Sequence, residues 1–110
     1  MTTISTHVLD TARGRPAAGV PVALEMRDGD AFVPRGSATT DSDGRIARLT
    51  DGIEPGVYRL RFDTGSYFAA TGTRGFYPYV DVVIDVRDGD AHYHVPLLLS
   101  PFGYATYRGS

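Results

Sequence analysis

Three imidazoles, His7, His92 and His94, are the side chains of this sequence best suited to exchange protons near neutral pH, because an unperturbed imidazole titrates at about 6.5. His92 and His94 stand two positions apart, so on a strand both rings share one face. That spacing would also suit two ligands of a metal ion. A metal needs further ligands, and neither a third histidine nor a nearby carboxylate obviously converges on the pair, so no metal is expected. Taken alone, a histidine on a strand is more often a surface or interface residue than a catalyst, and His92 reads as a solvated strand residue. Arg45 follows Asp43-Gly44 and opens the short run Arg45-Ile46-Ala47-Arg48-Leu49; on spacing alone it is a solvated charge after a turn. The end of the chain, Tyr107-Arg108-Gly109-Ser110, carries a phenol, a guanidinium and a hydroxyl, although chain ends usually fray.

The elements that must hold these groups are strands. Val20, Val22, Leu24 and Met26 alternate with Pro21, Ala23, Glu25 and Arg27. Tyr58, Leu60 and Phe62 alternate with Val57, Arg59 and Arg61, and Val80, Val82, Ile84 and Val86 with Tyr79, Asp81, Val83 and Asp85. A period of two with one apolar face describes a strand lying on a core. Asp-Gly pairs at Asp28-Gly29, Asp43-Gly44, Asp51-Gly52 and Asp88-Gly89 punctuate the runs, glycine supplying the positive φ of a tight turn. Arg-Asp-Gly-Asp-Ala occurs at 27–31 and again at 87–91, which reads as one hairpin solution used twice. A single short helix is expected, capped by Asp63 or Thr64, running through Tyr67, Phe68, Ala69 and Ala70 and stopped by Gly72. Seven or eight strands at a spacing of roughly ten residues imply an all-β, antiparallel β-sandwich.

Faces then decide where the histidines point. Ile4, Thr6 and Val8 alternate with Ser5, His7 and Leu9, and the apolar set Tyr93, Val95, Leu97 and Leu99 alternates with His92, His94, Pro96 and Leu98. With the more apolar set facing the core, His7 and His94 both point outward, each beside an outward leucine. Exposed leucines next to histidines suggest a surface covered by a second subunit.

Composition removes several alternatives. The 110 residues make room for one domain, 1–110. There is no cysteine, which excludes disulfides, thiolate catalysis and zinc–cysteine sites. All 11 basic residues are arginines, so no lysine is available for Schiff-base or phosphate-loop chemistry. A net charge of −2 with both signs scattered offers no basic stripe for nucleic acid. No secretory signal or membrane span is visible, and the chain reads as a cytoplasmic protein with no membrane partner.

Two longer motifs narrow the reading. His7-Val8-Leu9-Asp10, then Gly14-Arg15-Pro16-Ala17 and Val20-Pro21-Val22, resembles the N-terminal signature of the transthyretin-like family. Tyr93-His94-Val95-Pro96-Leu97-Leu98-Leu99-Ser100-Pro101-Phe102-Gly103-Tyr104 is similar to its second signature, and Tyr107-Arg108-Gly109-Ser110 to the terminal tetrapeptide of its hydrolase branch. The resemblance covers essentially the whole chain. It implies a transthyretin-like sandwich of two four-stranded sheets with one short helix, assembled as a homotetramer with sites in the channel between dimers. The carrier branch has lysine at the place of His7, an acidic residue at that of Arg45 and threonine at that of His94, so these residues side with the hydrolase. The activity implied is hydrolysis of a small-molecule substrate, 5-hydroxyisourate, to 2-oxo-4-hydroxy-4-carboxy-5-ureidoimidazoline in urate degradation, without a cofactor. His7, His94 and Arg45 would be catalytic, with Tyr107, Arg108 and Ser110 completing the substrate pocket. The other class of function on the same fold is a non-catalytic carrier binding a small molecule in the intersubunit channel. Ala105 departs from the family's usual small polar residue beside the tail.

Overall fold

The computed structural model describes residues 2–110. In chain order the elements are β1 (Thr3–Asp10), β2 (Arg15–Pro16), β3 (Pro21–Asp28), β4 (Ala31–Thr39), β5 (Arg45–Ile46), β6 (Gly56–Phe62), α1 (Thr64–Ala70), β7 (Val80–Val86), β8 (His92–Ser100) and β9 (Gly103–Thr106). They form two sheets, one ordered β4-β3-β6-β7 and the other β2-β1-β8-β9 with β5 also paired to β1. The second sheet therefore has five strands rather than the four expected, because two short pieces, β2 and β5, both dock on β1.

The core lies between the sheets and is built from the alternating apolar sets. Ile4, Val8, Leu24, Tyr58, Leu60, Phe62, Leu97 and Leu99 are all buried. Fully burying an aliphatic or aromatic side chain of this kind contributes about 1.5–3 kcal/mol. Thr6 and Asp10, on the buried face of β1, are hydrogen-bonded: Thr6 Oγ1 donates to the Val95 carbonyl at 2.6 Å, and the Asp10 carboxylate accepts from the Tyr67 hydroxyl at 2.7 Å and from the Arg13 amide at 3.0 Å. Among the described residues no buried side-chain nitrogen or oxygen lacks a partner.

One strand pair departs from the antiparallel rule. β1 and β8 run parallel, with Ser5 opposite His94 and His7 opposite Pro96. Parallel neighbours need a long connection, and here most of the chain supplies it. The helix forms as expected, with Asp63 accepting from the Ser66 amide and Gly72 following at a φ of 69°. Gly29 turns β3 into β4 at a φ of 63°, but the second Arg-Asp-Gly-Asp-Ala does not close a hairpin. β7 pairs only with β6 and β8 belongs to the other sheet, so residues 87–91 carry the chain between sheets; the same turn residues serve a different connection. Gly52 has no positive φ, and Asp51-Gly52 lies in a bend between Leu49, whose amide bonds to Ile4, and Ile53, which bridges to Thr2. The run from Arg45 to Leu49 keeps strand pairing only at Arg45 and Ile46.

Candidate active site

The site is assembled on the outer face of β1, β5 and β8. In β1, Ser5 and His7 alternate with the buried Ile4, Thr6 and Val8, so both point away from the core. In β8, His92 and His94 alternate with the buried Tyr93 and Val95 in the same way. The register places Ser5 beside His94 and His7 beside Arg45. Residues two apart on one strand face are separated by about 6.5–7 Å, which brings His7, His94 and Arg45 into one neighbourhood.

Arg45 is presented by a turn that its own sequence builds. Asp41 Oδ1 accepts from the amides of Asp43 and Arg45, each at 2.9 Å, and Gly44 adopts a φ of 74°. Such a short acidic side chain folding back on the following amides is a turn-forming device. Arg35, Arg59, Arg61, Arg87 and Arg108 all lie within ion-pair distance of a carboxylate, whereas the Arg45 guanidinium has no such partner among the described residues. Arg45 is thus a cation left free to meet a ligand.

A cavity of about 430 Å³ opens here, lined by Ser5, Thr6, Asp41, Arg45, Ile46, Ala47, His92, His94 and Ser110. That falls within the range of small-molecule sites. A hollow of about 500 Å³ lies outside the other sheet, at Pro21, Thr39, Arg61 and Tyr79. Its one arginine, Arg61, is already held by two bonds to Asp81, at 2.7 and 2.8 Å, and it contains no histidine. The groups able to exchange protons therefore line the smaller cavity.

The imidazoles are held differently. His7 Nε2 is 2.9 Å from the Asp43 carbonyl oxygen. A carbonyl only accepts, so this nitrogen carries a hydrogen and donates it. His94 Nδ1 is 2.7 Å from Ser5 Oγ, while His94 Nε2 has no protein partner and is not buried. Burial holds the His94 imidazolium below its ordinary pKa, and the nearby charge of Arg45, then of His7 and His92, adds to that. The ring is therefore neutral, and able to take a proton, at neutral pH.

The tail reaches the site in part. The Gly109 amide donates to the His94 carbonyl at 2.8 Å, closing an isolated bridge, and Ser110 enters the cavity wall. A Cβ at position 109 would stand 2.5 Å from His94 Cδ2, so the close approach requires glycine. Tyr107 and Arg108 turn elsewhere within the same chain. They line a separate hollow with Val82 and Ile84, and the Arg108 guanidinium lies 4.4 Å above the Tyr93 ring. The structure thus brings together His94, Arg45 and Ser110, places His7 at their edge, and does not bring Tyr107 or Arg108 to them.

Sequence reading passed over Ser5 and Asp41, and set His92 aside as a solvated strand residue. His92 is exposed, as expected, but both of its ring nitrogens are engaged, Nδ1 with Thr3 Oγ1 and Nε2 with Ser5 Oγ. Ser5 shares the outward face with His7, and that shared face was the signal available for it. Among the described residues no group of three or more histidine, cysteine, aspartate or glutamate side chains is placed to hold a metal ion, and no helix is long and apolar enough to cross a membrane.

The chain is similar to known proteins over nearly its whole length. Residues 4–109 match the model of the HIUase/Transthyretin family. The chain is similar to 5-hydroxyisourate hydrolase 2 of Rhizobium meliloti, 46% identical over 114 residues that cover 97% of this chain and 95% of that protein. Among solved structures it is similar to 5-hydroxyisourate hydrolase of Klebsiella pneumoniae, with a TM-score of 0.85 and 34% identity over 100% of this chain and 94% of that one. It is also similar to sea bream transthyretin in complex with thyroxine, with a TM-score of 0.91 and 33% identity over 96% of this chain and 93% of that one.

Proposed function

The chain belongs to the HIUase/Transthyretin family, and we propose that it opens the ring of 5-hydroxyisourate by adding water, a hydrolytic step of urate degradation. The observation that carries the reading is the meeting of an open His94 Nε2, an unpaired Arg45 and Ser110 in one cavity. A shared fold does not choose between hydrolase and carrier. The residues of the site support the hydrolase, because two imidazoles and a free guanidinium supply proton transfer and charge stabilisation that a carrier does not need.

The mechanism follows from what each group has left to offer. His94 Nε2 takes a proton from water as that water attacks the ring carbonyl, and the same nitrogen returns the proton to the departing ring nitrogen. His7, fixed through Nε2 on the Asp43 carbonyl, orients the water. The fork of Arg45 binds the electron-rich substrate and stabilises the oxyanion as it forms. Ser110 contributes a hydroxyl at the wall. No cofactor enters this scheme.

The same proposal includes a homotetramer acting in the cytoplasm. Supporting the assembly, Leu9 and Leu98 stay only half-buried beside the histidines, and Phe102, Tyr104 and Tyr107 are exposed. A second subunit over the histidine face would bury the two leucines and close the cavity. Further contacts between copies would cover the exposed aromatics and give Tyr107 and Arg108 a route to the site of a neighbouring copy.

The test is to run the reaction in water enriched in oxygen-18 and to analyse the product by mass spectrometry. The proposal expects protein-accelerated loss of 5-hydroxyisourate and one heavy oxygen in the new carboxylate. Tight binding of the compound with no acceleration would instead support the carrier.

A further inference from the structure

Behind the cavity runs a chain of hydrogen bonds that the hydrolytic scheme leaves unused. Thr3 Oγ1 lies 2.6 Å from His92 Nδ1, His92 Nε2 lies 2.8 Å from Ser5 Oγ, and Ser5 Oγ lies 2.7 Å from His94 Nδ1. The parallel register of β1 and β8, which sets Thr3 beside His92 and Ser5 beside His94, makes these contacts possible. A serine hydroxyl has one proton. It can donate to only one of the two ring nitrogens and must accept from the other, so the tautomers of His92 and His94 are coupled.

Two arrangements satisfy the chain. In the first, His94 carries its hydrogen on Nδ1 and donates it to Ser5, Ser5 donates to His92 Nε2, and His92 Nδ1–H points to Thr3. His94 Nε2 then offers a lone pair at the cavity. In the second, every proton is shifted by one bond, His94 Nε2 bears a hydrogen, and it cannot accept one from water. Only the first makes His94 a base.

We propose that Ser5 and His92 are positioning residues for His94, holding its Nδ1–H tautomer and receiving its excess proton during turnover. The inference rests on the hydrolytic reading of the cavity. When Nε2 takes a proton from water, the Nδ1 proton passes to Ser5 Oγ as the serine's own proton passes to His92 Nε2. One N–H bond and one O–H bond break, and one O–H and one N–H bond form. The positive charge leaves a ring facing Arg45 on β5 and His7 on β1 for the exposed ring of His92. The reverse shift restores the proton to His94 for delivery to the departing nitrogen. Such a partner also fixes the ring's orientation, as the outer partners of metal-binding histidines do.

The test uses the intact protein and its Ser5→Ala, Ser5→Thr and His92→Asn variants. Two readouts are needed: kcat and KM for 5-hydroxyisourate, and the nitrogen-15 shifts of the His94 ring without substrate. The expected results are a Nδ1–H tautomer in the parent and a kcat about tenfold or more lower in Ser5→Ala, the scale on which outer partners act. KM should hold, the tautomers should mix in Ser5→Ala, and Ser5→Thr should restore both readouts. His92→Asn, on the exposed side of the chain, should lower kcat while leaving thermal stability unchanged. A parent His94 in the Nε2–H form, or unchanged kcat in both Ser5→Ala and His92→Asn, would overturn the proposal. If the parent shows no turnover at all, the hydrolytic reading falls, while the ring shifts still decide whether Ser5 sets the tautomer.

Discussion

Arg45 spends its backbone amide on Asp41 and leaves its guanidinium without a carboxylate partner, whereas five other arginines lie beside carboxylates. At the scale of single residues, it is the meeting of this charge with the unpartnered Nε2 of His94 in one cavity that marks the site. Replacing His94 with Asn should cost about two or more orders of magnitude in kcat, the usual effect of losing a proton-transfer group. Near-parental turnover would remove His94 from the mechanism. The pH dependence follows from the direction in which its pKa is moved. Because burial and Arg45 hold the imidazolium down, the acid limb of kcat/KM should fall below the ordinary imidazole value of about 6.5. Arg45→Gln removes one of those causes, so the His94 titration followed by NMR should move upward; a downward or absent shift would contradict the electrostatic reading. The same displacement acts on folding. Between the two pKa values the unfolded chain binds the extra proton, so the contribution of His94 to stability is complete above about 6.5 and drains away as pH falls through the folded value.

At the scale of elements, the strands carrying the site were legible from alternation, since an apolar period of two fixes which side chains leave the core. His7 and His94 were placed on an outer face for that reason, and they lie there. The Ser5–His92 connection was not legible, because it depends on the parallel register between the first long strand and the last, and a local period carries no information on which distant strand is a neighbour. The tail shows the same limit. Ser110 reaches the cavity through the bridge between Gly109 and His94, while Arg108 is captured by the face of Tyr93, a contact that spacing along the chain does not reveal. Gly109→Ala tests the bridge: the added carbon would push against the imidazole, so kcat should fall while the melting temperature stays close to the parent's. Unchanged kinetics would mean that the ring and the tail adapt without cost. Helix α1, remote from the cavity, offers the contrast. Asp63→Ala removes its cap and should cost about 1 kcal/mol of stability, measured by denaturant unfolding, with turnover preserved.

At the scale of the whole molecule, the sandwich buries one face of each sheet and leaves the histidine-bearing face half-covered, with Leu9 and Leu98 beside it. Sedimentation equilibrium should give a mass about four times the 11.9 kDa of the chain; an active monomer would show that one copy suffices and that Tyr107 and Arg108 are not supplied by a neighbour. Everything else depends on whether this face performs hydrolysis. The most direct measurement generates 5-hydroxyisourate in situ with urate oxidase and follows its ultraviolet absorbance with the parent protein, His7→Asn and His94→Asn, each shown to keep the parent's mass. Decay far above the spontaneous rate with the parent, and near that rate with either variant, is the expected result. Decay at the spontaneous rate with an intact, assembled parent would contradict the hydrolytic assignment and leave a binding protein on the same fold.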